Sequence, residues 1–266
     1  MSGLRAQRRS ERELNARRGI FLAPFGELSE PGLVAELAAR AEDRGWDGFF
    51  VWDHIQYRPP VRELADPWIT LAAVAAATRT LAIGPLVTPL ARRRPHRLAR
   101  ETVTLDRLSG GRLVLGVGLG SDRTGEFDRA RFGEESDPRA RARLLDDGLE
   151  RLLAYWDGEF EPRPVQRPRI PVWVAVRWPH RRPLRRAARY DGVFPIELPE
   201  PAALAEVVGE VSGLRGSKDS FEIVVENPPG TDPAPWIEAG ATWCLTGFGP
   251  EPTREAVQDA IDSRVP

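Results

Sequence analysis

From residue 19 onward, short apolar runs rich in β-branched and aromatic residues alternate with longer segments whose apolar positions recur at helical spacing. That alternation is the pattern of repeated strand–helix units built on a parallel sheet. The first unit places a strand over 19–24. A helix follows from Pro31, with Leu33, Leu37, Ala38 and Ala41 on one stripe that stops at Arg44 and Gly45. The second strand covers 48–52 and is closed by Asp53 and His54. Asp66 and Pro67 then open a helix through Ala77, since Asp suits an N-cap and Pro the first helical position.

The same reading puts a third strand over 81–87, a helix over 95–108 and a fourth strand over 112–118. A polar stretch then runs to Asp137, too long for an ordinary connection, and long loops after strands are where function often sits. A helix over 138–155 keeps Leu144, Leu145, Leu149, Leu152 and Leu153 on one face. Pro162, Pro164, Pro168 and Pro171 mark an extended connector into a fifth strand over 172–176, followed by an arginine-rich helix to Tyr190. Strands over 192–196, 221–226 and 241–245 complete the series, with helices over 201–211, 235–239 and 252–261. Eight strands each followed by a helix, with no break in composition, predict an α/β fold. The expected form is a closed (β/α)8 TIM barrel in one domain over 19–266, preceded by a polar arm over 1–18.

The 266 residues are 41% hydrophobic, enough for a buried core, and the formal net charge of -1 argues against nucleic acid or a membrane surface as partner. The arm is arginine-rich but has no apolar stretch, so neither a secretory signal nor a membrane span is expected. Cys244 is the single cysteine, which excludes an intramolecular disulfide and fits a cytoplasmic protein. Lys218 is the single lysine and lies in a polar loop, a poor setting for covalent catalysis. His54, His96 and His180 lack metal-ligand spacing, so no metal is expected.

In a barrel, reactive residues belong at the carboxyl ends of strands. Asp53 and His54 occupy such an end. An imidazole there can exchange hydrogen bonds with a cofactor carbonyl or ring nitrogen, and the adjacent carboxylate could orient it; the alternative is a surface histidine that caps the next segment. Gly116, Gly118 and Gly120 strip side chains from one face of the fourth strand, which admits a flat ring or a phosphate, or else serves tight packing. Arg177, with a helix opening at Pro179, forms a candidate phosphate site. The run Arg92, Arg93 and Arg94 reads first as a solvated face, with attraction of an anionic cofactor near the rim as the alternative. Trp178 and Trp236 are candidates for a pocket wall, whereas Trp46, Trp52, Trp68, Trp156, Trp173 and Trp243 read as core.

Four segments in this order resemble the bacterial luciferase-like monooxygenase family of barrel oxidoreductases that use flavin or coenzyme F420. They are Arg44-Gly-Trp-Asp-Gly-Phe-Phe-Val-Trp-Asp-His54, Pro95-His-Arg-Leu-Ala-Arg-Glu101, Leu105-Asp-Arg-Leu-Ser-Gly-Gly-Arg-Leu-Val-Leu-Gly-Val-Gly118 and Arg186-Ala-Ala-Arg-Tyr-Asp-Gly192. The resemblance implies FMN or F420 lying across the strand ends, a small-molecule substrate and a homodimer. It also implies that His54 meets the polar edge of the ring with Asp53 supporting it. Val87 and Thr88 would form a bulge against one ring face, with a non-prolyl cis peptide; Gly118 and Gly120 would give backbone room, and Val176 and Arg177 would lie near the phosphate-bearing tail. Two features depart from the family: Ala175-Val-Arg177 replaces the glycines often found there, and the connector over 158–168 is short. They leave open a second possibility, a cofactor-binding degenerate barrel without turnover.

Overall fold

The computed structural model describes residues 16–216 and 220–263, so Lys218 and residues 1–15 of the predicted arm lie outside it. Nine parallel strands form the sheet: β1 Arg17–Leu22, β2 Gly48–Val51, β3 Ala82–Pro85, β4 Thr88–Pro89, β5 Leu115–Gly118, β6 Val172–Arg177, β7 Gly192–Ile196, β8 Glu222–Asn227 and β9 Trp243–Gly247. Their order is β3-β2-β1-β9-β8-β7-β6-β5-β4. Ile83 closes the ring, donating to Arg112 O at 3.0 Å and accepting from Val114 N at 2.8 Å. The third expected strand is therefore two pieces, β3 and β4, separated by a cis peptide between Leu86 and Val87, one bond earlier than expected. Around the ring the two pieces hold one position, which gives the eight positions of a (β/α)8 barrel. The first strand begins at Arg17, whose N–H donates to Thr242 O at 2.9 Å.

Period-two alternation sorts each strand into an inner and an outer face. Phe21, Phe50, Leu86, Trp173, Phe194, Val224, Trp243 and Leu245 point inward and fill the barrel. Ile20, Phe49, Val51, Val174, Val193 and Val225 point outward and bury against helices. Those helices include α1 Pro31–Asp43, α2 Pro67–Ala77, α3 Pro95–Leu108, α4 Arg129–Phe132, α5 Pro138–Ala154, α6 Leu184–Ala187, α7 Pro201–Leu214, α8 Ala234–Glu238 and α9 Arg254–Asp262. The N-cap of α2 is as expected, Asp66 accepting from the N–H groups of Trp68 and Ile69 at 2.9 Å each. Among the described residues no helix is long and apolar enough to cross a membrane.

The arginine-rich helix is the clearest departure: only Leu184–Ala187 is helical, and residues 179–183 run through turns. Pro183 directly precedes α6, where a fixed φ and a missing N–H are tolerated, so no helix amino end forms at Pro179. At the amino end of the barrel Arg112 gathers five acceptors. Its guanidinium donates to the carbonyls of Ser109, Ala75, Thr78 and Leu81 and to the Thr78 hydroxyl, at 2.7–3.0 Å. This side chain ties the end of α2 to the start of β3 and to the turn before β5. Replacing it, as in Arg112→Met, strips those acceptors of their donor and is expected to cost about 2–3 kcal/mol, read as a lowered urea midpoint.

Candidate active site at the carboxyl ends of the strands

Beyond β2 the alternation continues into the loop. Phe50 and Trp52 belong with the inner face, and His54 follows them, its ring 5.8 Å from that of Trp52, 6.0 Å from Phe25 and 5.2 Å from Tyr57. Asp53 follows Phe49 and Val51 to the outer side and is fully buried there. Adjacent residues on an extended chain face opposite ways, so Asp53 does not serve His54 as expected. Its carboxylate accepts instead from Thr88 Oγ1 at 2.7 Å, Arg93 at 3.0 Å, Arg92 at 3.3 Å and Trp68 Nε1 at 3.3 Å.

The partner of His54 is Glu126, from the long loop after β5: Nδ1 lies 2.8 Å from Glu126 Oε2. Glu126 is fully buried and also accepts from Ile55 N at 2.7 Å and Thr124 Oγ1 at 2.6 Å, with Arg92 3.4 Å away. Burial alone would raise its carboxyl, but the bond and charge of His54, the charge of Arg92 and the Thr124 hydroxyl together hold it below its ordinary value of 4.5. An ionised carboxylate only accepts, so Nδ1 carries the proton and Nε2 is the nitrogen left for another partner. The loop that delivers Glu126 is itself fastened. Arg141 of α5 pairs with Asp122 at 2.6 Å and stacks 4.1 Å over Phe127, while Gln56 donates to Thr124 O at 2.9 Å.

The run of three arginines is thus not a solvated face: Arg92 is 3% exposed and joins Asp53 to Glu126, Arg93 holds Asp53, and Arg94 alone is exposed. Thr88 is buried with its hydroxyl on Asp53, whereas Val87 is half-buried and packs with the inner cluster. The glycines give room, but to protein. A Cβ on Gly118 would meet Val87 Cγ2 at 2.7 Å, and one on Gly120, whose φ is +76°, would meet the Phe127 ring at 2.4 Å.

Val176 points outward into the helix layer, leaving its backbone alone near the mouth. Arg177 points inward at the rim and pairs with Glu197, which Arg123 also holds at 3.0 Å. Trp178 and Trp236 pack in the outer layer. A cavity of about 390 Å³ opens on the outer side of β8 and β9, between Asn227, Thr246 and α9, away from His54. Among the described residues no three His, Cys, Asp or Glu side chains converge on a possible metal position.

One observation bears on a bound ring. Trp52 Nε1 is buried at the mouth, beside His54, and finds no acceptor among the described residues. A buried donor left without a partner costs about 1–3 kcal/mol, so its natural complement is an acceptor brought by a ligand. Together with the His54 ring and the half-buried Val87 wall, it fits a flat heteroaromatic group with polar edge atoms.

The chain belongs to the luciferase-like monooxygenase family, whose model matches residues 18–225. It is 30% identical over 228 residues to a phthiodiolone/phenolphthiodiolone dimycocerosates ketoreductase of Mycobacterium sp. (strain JLS), covering 78% of this chain and 54% of that one. It is 33% identical over 136 residues to an F420-dependent glucose-6-phosphate dehydrogenase of Nakamurella multipartita, over 48% and 38% of the two chains. Among solved structures, an F420-dependent secondary alcohol dehydrogenase in complex with an F420-acetone adduct superposes with a TM-score of 0.73 at 17% identity, covering 93% and 96%. The oxygenating constituent of 3,6-diketocamphane monooxygenase from Pseudomonas putida, in complex with FMN, gives 0.65 at 15% identity over 80% and 67%.

Removing one partner from the buried cluster leaves a charge uncompensated, so Asp53→Leu is expected to cost about 3–5 kcal/mol in urea unfolding. The Glu126 carboxyl is depressed by folding, so its contribution is complete above about pH 4.5 and is lost as pH falls through the lower folded value. Glu126→Gln should flatten that part of the acid limb of stability against pH; an unchanged limb would assign it to other carboxylates.

Proposed function

We propose that this chain is an oxidoreductase that binds F420 or FMN, in preference to FAD, across the carboxyl ends of its strands and acts on a small organic substrate. The observation that carries the reading is the oriented His54–Glu126 pair beside the unpartnered Trp52 Nε1, on the one rim where barrel enzymes do chemistry. Family membership and the F420-dependent relative support it. When bound, the ring supplies hydride exchange if it is a deazaflavin, or oxygen activation if it is reduced FMN.

The protein's own part is to hold and polarise. Glu126 fixes the orientation of His54 so that Nε2 is presented to the polar edge of the ring, Trp52 Nε1 meets an edge acceptor, and Val87 forms a wall. Arg177 attracts a phosphate in competition with Glu197. We further read the barrel as one unit that starts at Arg17, two residues before the expected boundary, and as cytoplasmic and homodimeric. The lone buried thiol of Cys244 supports the compartment, and exposed Ile69 and Leu108 on α2 and α3 support a dimer.

The second reading, a ring-binding barrel without turnover, draws on the same Arg177–Glu197 pair, which leaves that guanidinium engaged by protein. Fluorescence titration with FMN and with F420 in parallel is the test. Selective F420 binding supports hydride transfer, selective FMN binding supports monooxygenation, and binding of neither sinks the proposal. Ring binding with no reduction by any donor favours the second reading. His54→Ala is expected to weaken ring binding or slow reduction about 10–100-fold while the barrel stays folded; equal affinity and rate would remove His54 from the site.

A further inference from the structure

Strand β8 carries a titratable group into the same mouth. Ile223 and Val225 point outward and Val224 inward, so the alternation turns Glu226 inward at the carboxyl end. The neighbouring strand confirms its direction: a Cβ on Gly247, an inward position of β9, would lie 2.2 Å from Glu226 Oε1 and 2.7 Å from Cγ. The carboxyl group therefore lies over bare backbone beside Phe21, which pairs with Gly247. Around the ring β8 stands four positions from β3 and β4, diametrically opposite the Leu86–Val87 break. A flat group resting against Val87 turns its other face toward Glu226.

The Glu226 carboxyl has no hydrogen bond or ion pair among the described residues. The inward positions beside it are Phe194 and Ile196 on β7, Leu245 and Gly247 on β9 and Phe21 on β1, none of them charged. The charged groups at the rim are engaged elsewhere: Arg177 of β6 and Arg123 by Glu197, and His54 by Glu126. Solvent reaches the side chain through the open mouth, yet protein crowds it on the remaining sides and pushes the carboxyl up to about 7. An acid poised near neutrality can both give and take a proton at working pH.

We propose that Glu226 is the catalytic acid–base that serves an uncharged carbonyl or secondary alcohol substrate on the open face of the ring. The proposal rests on the redox reading above. In the reducing direction the carbonyl carbon gains a hydride from a reduced deazaflavin or flavin, and its oxygen takes the proton of Glu226, leaving an alcohol and a carboxylate. Oxidation reverses both transfers: the carboxylate takes the hydroxyl proton as the C–H bond breaks and its hydride passes to the oxidised ring. The apolar flank of Phe21, Phe194 and Ile196, and the prior engagement of the rim arginines, select an uncharged substrate over a phosphorylated one.

The test uses the full chain and Glu226→Gln. Carboxyl carbon-13 NMR of glutamate-labelled protein without cofactor should show one group titrating near 7 that is missing from the variant. FMN and F420 should bind the variant as they bind the parent, and its urea midpoint should be unchanged. With a panel of uncharged secondary alcohols from 2-propanol to cyclohexanol, kcat of the variant should fall about 10²–10⁴-fold and the inflection near pH 7 should vanish. A parent carboxyl that titrates near 4.5, or a variant with the parent's rate and pH profile, overturns the role of Glu226. A parent that binds the ring but oxidises none of the panel overturns the substrate class. Failure of the parent to bind either ring is a separate result, which removes the redox reading and this proposal with it.

Discussion

Two carboxylates and a guanidinium lie almost wholly out of reach of water, a second guanidinium closes over them, and the upper half of the barrel is arranged around that fact. Asp53 and Glu126 are fully buried, Arg92 nearly so, and Arg93 mostly so. An isolated buried charge is prohibitively costly, so each of these groups is tolerable only while the others stand in position. The four come from three separate stretches: the end of β2, the segment between β4 and α3, and the loop after β5. Their mutual requirement joins three consecutive strand–helix units at the rim, where no backbone ladder could do so.

That cluster also explains why the site is presented as it is. Strand alternation sends Asp53 out and His54 in, so the residue that secures the rim and the residue offered to a ligand are neighbours in sequence with opposite faces. Arg92 spans both carboxylates, coupling the anchor of Asp53 to the Glu126 that orients His54. Arg141, on α5, then fixes the loop that carries Glu126. The imidazole is held by a chain of paired charges that ends in the helix layer.

The barrel was legible in the sequence because it follows from periodicity, a local property. So were the N-cap at Asp66 and the rim position of His54, which depend on strand ends alone. Most of the differences share a cause: they turn on a contact between distant stretches. Glu126 sits 72 residues from His54, in a loop with no periodic signal, and its length was the one hint that it mattered. Arg92 and Arg93 look solvated by composition, and only the buried carboxylates that meet them reverse that. Gly118 and Gly120 were recognised as places of close approach, yet what approaches is Val87 and Phe127, which spacing cannot name. At Pro179 the error was local: residues 179–183 carry polar and proline positions without an apolar stripe, and the chain turns instead of winding.

The segments that carry the family likeness contribute mostly to the scaffold. Asp106 accepts from Val165 N at 2.6 Å and from Gln166 Nε2 at 2.8 Å, which holds the short connector; Arg112 ties the amino end; Asp191 accepts from Val172 N at 2.7 Å at the start of β6. These groups satisfy backbone of the scaffold and say little about substrate. Chemistry that distinguishes one member from another has to come from inward positions at the rim that the scaffold leaves free. Of the rim groups described here, Arg177 is held by Glu197 and His54 by Glu126, while Trp52 Nε1 and Glu226 have no protein partner. The free groups therefore stand on opposite sides of the mouth, Trp52 Nε1 at the end of β2 and Glu226 on β8, while Asp53, Arg92 and Glu126 serve to hold.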